Sequence, residues 1–225
     1  MAAPGSGNSE DSEAGVPVRW RGPPSPGLLP PDGAFGSPLA HCRLVADSGG
    51  AIVVGVRGQA DREVARRAIR EAIVAELADA NGLAPQRITL HSAEGQVPWA
   101  ELASPGGPRR AWLAISHDGD LSVAAISLRG AVGIDVSRIE DIPDWEPVAR
   151  DYLGPGIAAM LAALPAGERP LALARAWTER EARLKYLGRE LVEWSADGDA
   201  ELQACRCLPL DLPQGYVGAL SLPQN

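Results

Sequence analysis

Three short stretches of this chain carry side chains capable of chemistry. The first is Trp177-Thr178-Glu179-Arg180-Glu181-Ala182-Arg183-Leu184-Lys185. At helical spacing Leu173, Trp177 and Leu184 share one stripe, and Glu181, four residues after Trp177 and three before Leu184, falls inside it. A carboxylate on an apolar stripe is costly to bury unless it is paired, hydrogen-bonded or bound to a metal. Lys185 follows one turn later on the same side. A Glu–Lys pair at this spacing is ordinarily a solvated ion pair worth a few tenths of a kcal/mol. Here the face is apolar, and Lys185 is the single lysine in a chain with 20 arginines.

The second stretch is Val132-Gly133-Ile134-Asp135-Val136. Alternation puts Val132, Ile134 and Val136 on one face of a strand, and Gly133, Asp135 and Ser137 on the other. A strand Asp beside a Gly leaves room for a ligand or metal close to the backbone. Mg²⁺ favours one or two carboxylates together with substrate phosphates. The plainer alternative is a strand end with a capping Asp. The third stretch, Leu113-Ala114-Ile115-Ser116-His117, ends a strand in Ser-His at a turn. It lacks the glycines of a nucleophile elbow. A His in that position suits a phosphate contact or proton transfer, with a purely structural His as the alternative. His41 and His91 have no comparable context.

The elements that must position these groups follow from periodicity. Residues 41–56 read as two strands about a Ser-Gly-Gly turn. Asp61 caps a helix to about Ala80 whose apolar stripe runs Val64, Ala65, Ala68, Ile69, Ala72, Ile73 and Leu77, with Asn81-Gly82 ending it. Strands are expected at Ile88–His91, Ala111–His117 and Leu121–Leu128, the last two joined as a hairpin through Asp118-Gly119-Asp120. A strand at Ala131–Val136 precedes an acidic loop and helices near Asp144–Leu153 and Ile157–Leu164. A longer helix runs from about Pro170 to Gly188, and strands are expected at Leu202–Leu208 and Tyr216–Leu222. Hairpins without regular strand–helix alternation predict an α+β fold.

At 225 residues the chain can bury a core without staples. Residues 1–40 hold eight of the 20 prolines, spaced by Gly, Ser and acids, and are expected to form a mobile tail. Trp20 and a few other apolar residues there are candidates for docking. No apolar run reaches the roughly 18 residues of a membrane helix, and no secretory signal is visible. Cys42, Cys205 and Cys207 are an odd count without metal spacing, which fits reduced thiols in the cytoplasm. A net charge of −8 opposes generic nucleic-acid binding but leaves room for a local basic pocket.

The order Ile-Ser-His, Gly-Ile-Asp and Trp-Thr-Glu-Arg-Glu-Ala-Arg-Leu-Lys resembles the 4′-phosphopantetheinyl transferases, specifically the surfactin-type single-chain group. The motifs fall at Ile115–His117, Gly133–Ser137 and Trp177–Lys185, with Gly188 in place of the glycine that commonly follows. The resemblance covers roughly residues 41 to 225. It implies two similar α+β halves, here about 41–128 and 129–225, with the active site in the cleft between them. The implied reaction moves the 4′-phosphopantetheine arm of coenzyme A to a serine of an apo acyl or peptidyl carrier protein, releasing adenosine 3′,5′-bisphosphate. Asp135 and Glu181 would hold Mg²⁺, with Mn²⁺ as the alternative, and Lys185 would contact phosphate. Glu181 would accept the serine proton, and Ser116 and His117 would bind the 3′-phosphate end of coenzyme A. Arg62, Arg66, Arg67 and Arg70 repeat along the first helix, where the family often has a coenzyme A-binding Arg, and Arg66 is the favoured one. A monomer that binds neither nucleic acid nor membrane is expected.

Three positions depart from the pattern. Ser137 stands where a further metal carboxylate is usual, Gln96 where the upstream segment has Lys, and Asp118 places a negative charge beside the expected phosphate site. The departures also fit a transferase-like domain that binds a carrier or synthase without catalysis.

Overall fold

The computed structural model describes residues 15–21, 50–58, 61–93 and 95–224. The strand expected before the Ser-Gly-Gly turn, with His41 and Cys42, lies outside the described residues, as does most of the expected tail. In chain order the elements are β1 (Val16–Pro17), β2 (Arg19–Trp20), β3 (Ala51–Arg57), α1 (Arg62–Asn81), a 3₁₀ turn (Pro85–Arg87), β4 (Ile88–His91), β5 (Trp99–Ser104), β6 (Gly107–Asp118), β7 (Leu121–Ser127) and β8 (Gly133–Arg138). Then come α2 (Trp145–Val148) running into a π-helical turn (Ala149–Leu153), α3 (Pro155–Ala163), α4 (Arg169–Tyr186), α5 (Ala196–Leu202), β9 (Cys205–Asp211) and β10 (Tyr216–Pro223).

These strands form two mixed sheets in an α+β arrangement. One has six strands in the order β2-β3-β7-β6-β5-β4, the other four in the order β1-β9-β10-β8. Side-chain alternation sorts the six-stranded sheet into two faces. Val54, Val56, Leu102, Leu113, Ala124 and Ile126 pack against the Ile69, Ile73 and Leu77 stripe of α1. Val53, Ala114, Leu121, Val123 and Ala125 point the other way and share a core with Ile134, Val136, Leu210 and Leu220 of the four-stranded sheet. Helix α4 covers β8, β9 and β10. The carboxylate of Asp61 accepts the backbone N–H of Val64 at 2.9 Å, and Gly82 closes α1 in the left-handed region.

Two expectations are corrected. Residues 15–21, inside the expected mobile tail, are ordered. Val16 pairs in parallel with Leu210 on β9, and Arg19 and Trp20 pair in parallel with Val54 and Gly55 on β3, so this strap ties both sheets together. The low apolar content that predicted disorder averages over Val16 and Val18, which pack into the shared core. Gly55 accommodates the Trp20 ring, which comes within 2.7 Å of where a Cβ would stand. The strand expected from Leu202 begins at Cys205, because Ser195 accepts the N–H of Gly198 and starts a short helix that contains Leu202. The sequence reading also passed over β5, whose Trp99–Ser104 pairs with both β4 and β6.

The strap satisfies a buried charge. Glu76 lies on the apolar stripe of α1 and is 1% exposed. Arg19 pairs with one of its carboxylate oxygens and Arg21 with the other, the latter at 2.7 Å. Removing both arginines leaves an unpaired buried carboxylate, so Arg19→Ala/Arg21→Ala should cost about 3–5 kcal/mol. Denaturant melts should show that adding Glu76→Gln to this double variant recovers much of the loss. No recovery would mean that the strap acts through packing alone.

Candidate functional site

The site begins with a missing side chain. A Cβ on Gly133 would stand 1.9 Å from the carbonyl oxygen of Ala182 and 2.6 Å from the amide nitrogen of Tyr186. The backbone of α4 therefore lies directly on β8 at this point, and the space beside the glycine is filled by helix rather than by a ligand. That contact sets the height and rotation of α4 over the strand. Two residues along β8 from Gly133, the Asp135 side chain meets the last turns of the same helix.

Asp135 is 6% exposed, and its Oδ1 accepts hydrogen bonds from Lys185 Nζ and Ser116 Oγ, both at 2.7 Å. Ser116 Oγ in turn accepts the backbone N–H of Val136 at 3.3 Å. Both charge-assisted contacts shorten and strengthen in a desolvated setting. The hydroxyl of Ser116, expected on phosphate, is thus directed at Asp135 and fixes the carboxylate. Helix α4 ends just past Lys185, where Gly188 takes φ +67° and its N–H reaches the Lys185 carbonyl at 3.1 Å.

Glu181 sits one turn before Lys185. Burial raises its pKa first, and the neighbouring Asp135 carboxylate raises it further, while Lys185 and Arg180 pull the other way. Two carboxylates close enough to repel one another, with Ser137 lining the same space, form a donor set that a hard divalent cation would satisfy. Among the described residues no cluster of three His, Cys, Asp or Glu side chains is disposed to hold a metal.

These groups border one cavity of about 450 Å³. Trp177, Glu181 and Lys185 reach it from α4, Asp135 and Ser137 from β8, Ser116 and His117 from β6, and Arg62 and Arg66 from α1. Arg67 and Arg70, equally spaced along α1, are exposed and do not line it. Arg66 also pairs with Glu63 at 2.7 Å. Tyr152 holds Trp177 edge-on, with ring centroids 5.9 Å apart. A second cavity of about 270 Å³ shares Ile115 and Lys185 with the first and contains Gln96.

Asp118 does not leave a bare negative charge beside His117. Its carboxylate accepts the backbone N–H of Arg138 at 2.7 Å and lies 3.4 Å from the Arg138 Nε. Sequence reasoning missed Ser122, whose Oγ is 2.7 Å from His117 Nδ1. The hairpin turn contained the signal: with Gly119-Asp120 at the tip, Asp118 opposes Leu121 and His117 opposes Ser122.

Residues 131–216 match the family model for the 4′-phosphopantetheinyl transferase superfamily. A protein of Synechocystis sp. (strain ATCC 27184 / PCC 6803 / Kazusa), named as a candidate 4′-phosphopantetheinyl transferase, is 26% identical over 81 residues, which is 36% of this chain. The match spans a third of that relative's own length (33%). The chain thus shows weak homology to the superfamily over part of its length, and its mixed α+β sheets are consistent with that fold. The family match takes in Asp135, Glu181 and Lys185 and stops short of Ser116 and His117. Among the described residues no helix is long and apolar enough to cross a membrane.

Two outcomes follow from this geometry. Gly133→Ala should cost about 3 kcal/mol or more, since neither backbone segment can yield to the new methyl group. An undiminished melting temperature would contradict the close approach. A carboxyl whose pKa is raised on folding holds its proton more tightly in the folded state, so stability falls as pH rises through that value. Without added metal, Glu181→Gln should therefore melt above wild type at about pH 8 and level with it at about pH 4. A difference independent of pH would remove the charge explanation.

Proposed function

We propose that this chain is a phosphopantetheinyl transferase of the surfactin-type single-chain group. In this reading it moves the 4′-phosphopantetheine arm of coenzyme A to a serine of an apo acyl or peptidyl carrier protein. The observation that carries the reading is the meeting of Asp135, Glu181 and Lys185 with His117, Arg62 and Arg66 around one cavity. Asp135, Glu181 and Lys185 on one wall, with Arg62, Arg66 and His117 on the other, suit a ligand that joins a phosphate monoester to a pyrophosphate. The similarity over residues 131–216 supports the transferase reading at the level of the superfamily. The 41–128 and 129–225 halves would then contribute opposite walls, with β6 and α1 from the first and β8 and α4 from the second.

The chain's own groups divide the work as follows. Arg62, Arg66 and His117 hold the 3′-phosphate, and Lys185 lies against the pyrophosphate as a compact point charge. Ser116 keeps Asp135 turned toward the cavity. Asp135 and Glu181 would hold Mg²⁺, or Mn²⁺ in its place, and the ion would supply neutralisation of the charge on the pyrophosphate. The carrier serine oxygen forms a bond to the phosphorus that bears the pantetheine arm. The bond from that phosphorus to the bridging oxygen breaks, and adenosine 3′,5′-bisphosphate leaves. Glu181 takes the serine proton, directly or through a water. The bond between Lys185 and Asp135 prepares both groups before substrate arrives, which limits reorganisation during transfer.

Incubation with coenzyme A, Mg²⁺ and an apo carrier should add the phosphopantetheine mass to the carrier serine, read by intact-protein mass spectrometry. Glu181→Gln and Lys185→Ala should each slow transfer by about 100-fold or more, and chelation of the metal should stop it. Unchanged rates in both variants would remove the mechanism. Carrier binding without any transfer would favour a domain that recognises carriers without modifying them.

A further inference from the structure

The contact between Ser122 and His117 has no part in the residue roles above. Ser122 is 2% exposed, on a strand buried along its whole length. Its Oγ stands 2.7 Å from His117 Nδ1. His117 itself is exposed and lines the cavity beside Arg62 and Arg66. With Nδ1 turned inward to a buried hydroxyl, the opposite ring nitrogen, Nε2, faces outward. A hydroxyl both donates and accepts, so the serine keeps this bond to a neutral ring and to an imidazolium alike. Among the described residues Ser122 Oγ has no second hydrogen-bond partner, so its buried O–H donates to Nδ1 of the neutral ring, whose own proton then sits on Nε2; toward the charged ring it accepts, and the Nε2–H is kept as well.

The turn leaves little freedom to compensate if that bond is lost. Tyr216 Oη donates to Asp120 Oδ1 at 2.7 Å, Arg57 Nε lies 3.4 Å from Asp120 Oδ2, and the Gly58 N–H reaches the Asp120 carbonyl at 3.0 Å. Gly119, at φ +58°, lies so close to Tyr216 Oη that a Cβ would stand 2.8 Å from it. The turn is thus anchored to β3, β8 and β10, and the ring is set chiefly by its own serine.

We propose that Ser122 is a positioning residue that turns His117 so that its Nε2–H is presented to an anionic group in the cavity. Resting on the transferase reading, that group is the 3′-phosphate of coenzyme A. Ser122 does not touch the ligand; it acts through the ring. The selectivity it confers is for a phosphate monoester over the hydroxyl of the 3′-dephospho form. Arg62 and Arg66 attract anions of many shapes, whereas a fixed N–H rewards an oxygen at one place.

Two measurements on the full chain test this. Two-bond ¹H–¹⁵N spectra should show His117 protonated at Nε2 in wild type, a mixture with the Nδ1–H tautomer in Ser122→Ala, and recovery of the Nε2–H form in Ser122→Thr. By calorimetry with Mg²⁺, Ser122→Ala should weaken coenzyme A binding about five-fold, the scale of one ordinary hydrogen bond. Binding of 3′-dephospho-coenzyme A should stay unchanged. In a His117→Ala background the same substitution should have no effect on either ligand. An unaltered tautomer in Ser122→Ala, or an equal loss without His117, would overturn the proposal. A wild type that binds neither nucleotide would overturn the transferase reading, while the spectra would still decide the role of Ser122.

Discussion

The direct contact between the backbone of α4 and strand β8 at Gly133 is the constraint on which the site depends. Any side chain at that position would lift the helix from the strand. The bond between Lys185 and Asp135 is 2.7 Å long and joins residues 50 positions apart, so it has no local support. It exists because the glycine lets the two elements close and because Ala182, which carries the contacting carbonyl, is itself fully buried. Once the helix is seated, Trp177, Glu181 and Lys185 descend along one side of it into the same cavity.

The local charges of the cavity decide how a chain of net charge −8 would take the anionic ligand proposed above. At ordinary salt, charges more than about 10 Å apart are largely screened, so the local set governs what a ligand meets. That set contains Arg62, Arg66 and Lys185 against Asp135 and Glu181. Arg67 and Arg70 extend the basic face along the exposed side of α1. Asp118 also lines the cavity, where Arg138 pairs with it, and outside it Asp120 pairs with Arg57 and Glu201 with Arg189.

Much of this arrangement was legible in the sequence because it rests on local pattern. The Glu181–Lys185 spacing, the alternation of Gly133-Ile134-Asp135 and the Ser116-His117 strand end each stand out by residue type and periodicity. Glu76 shows where such reading fails. It sits on an apolar helix stripe just as Glu181 does, yet its partners Arg19 and Arg21 lie more than 50 residues away, within a segment whose composition signals disorder. The role of Gly133 was misread for a related reason: a glycine announces that something comes close, and only the packed helix shows that the visitor is Ala182. Ser116 followed the same course. Its neighbourhood was readable, but the direction of its hydroxyl depended on β6 lying against β8.

The site joins two carboxylates that repel one another to a cluster of cations, and that pairing makes a distinct demand on ligand binding. Calorimetric titration of coenzyme A into the full chain, with and without Mg²⁺, tests it most directly. The account predicts tight binding that requires the metal and weakens sharply when it is chelated, because the pyrophosphate would otherwise face Asp135 and Glu181 unscreened. Equal affinity in both conditions, or no binding in either, would contradict it.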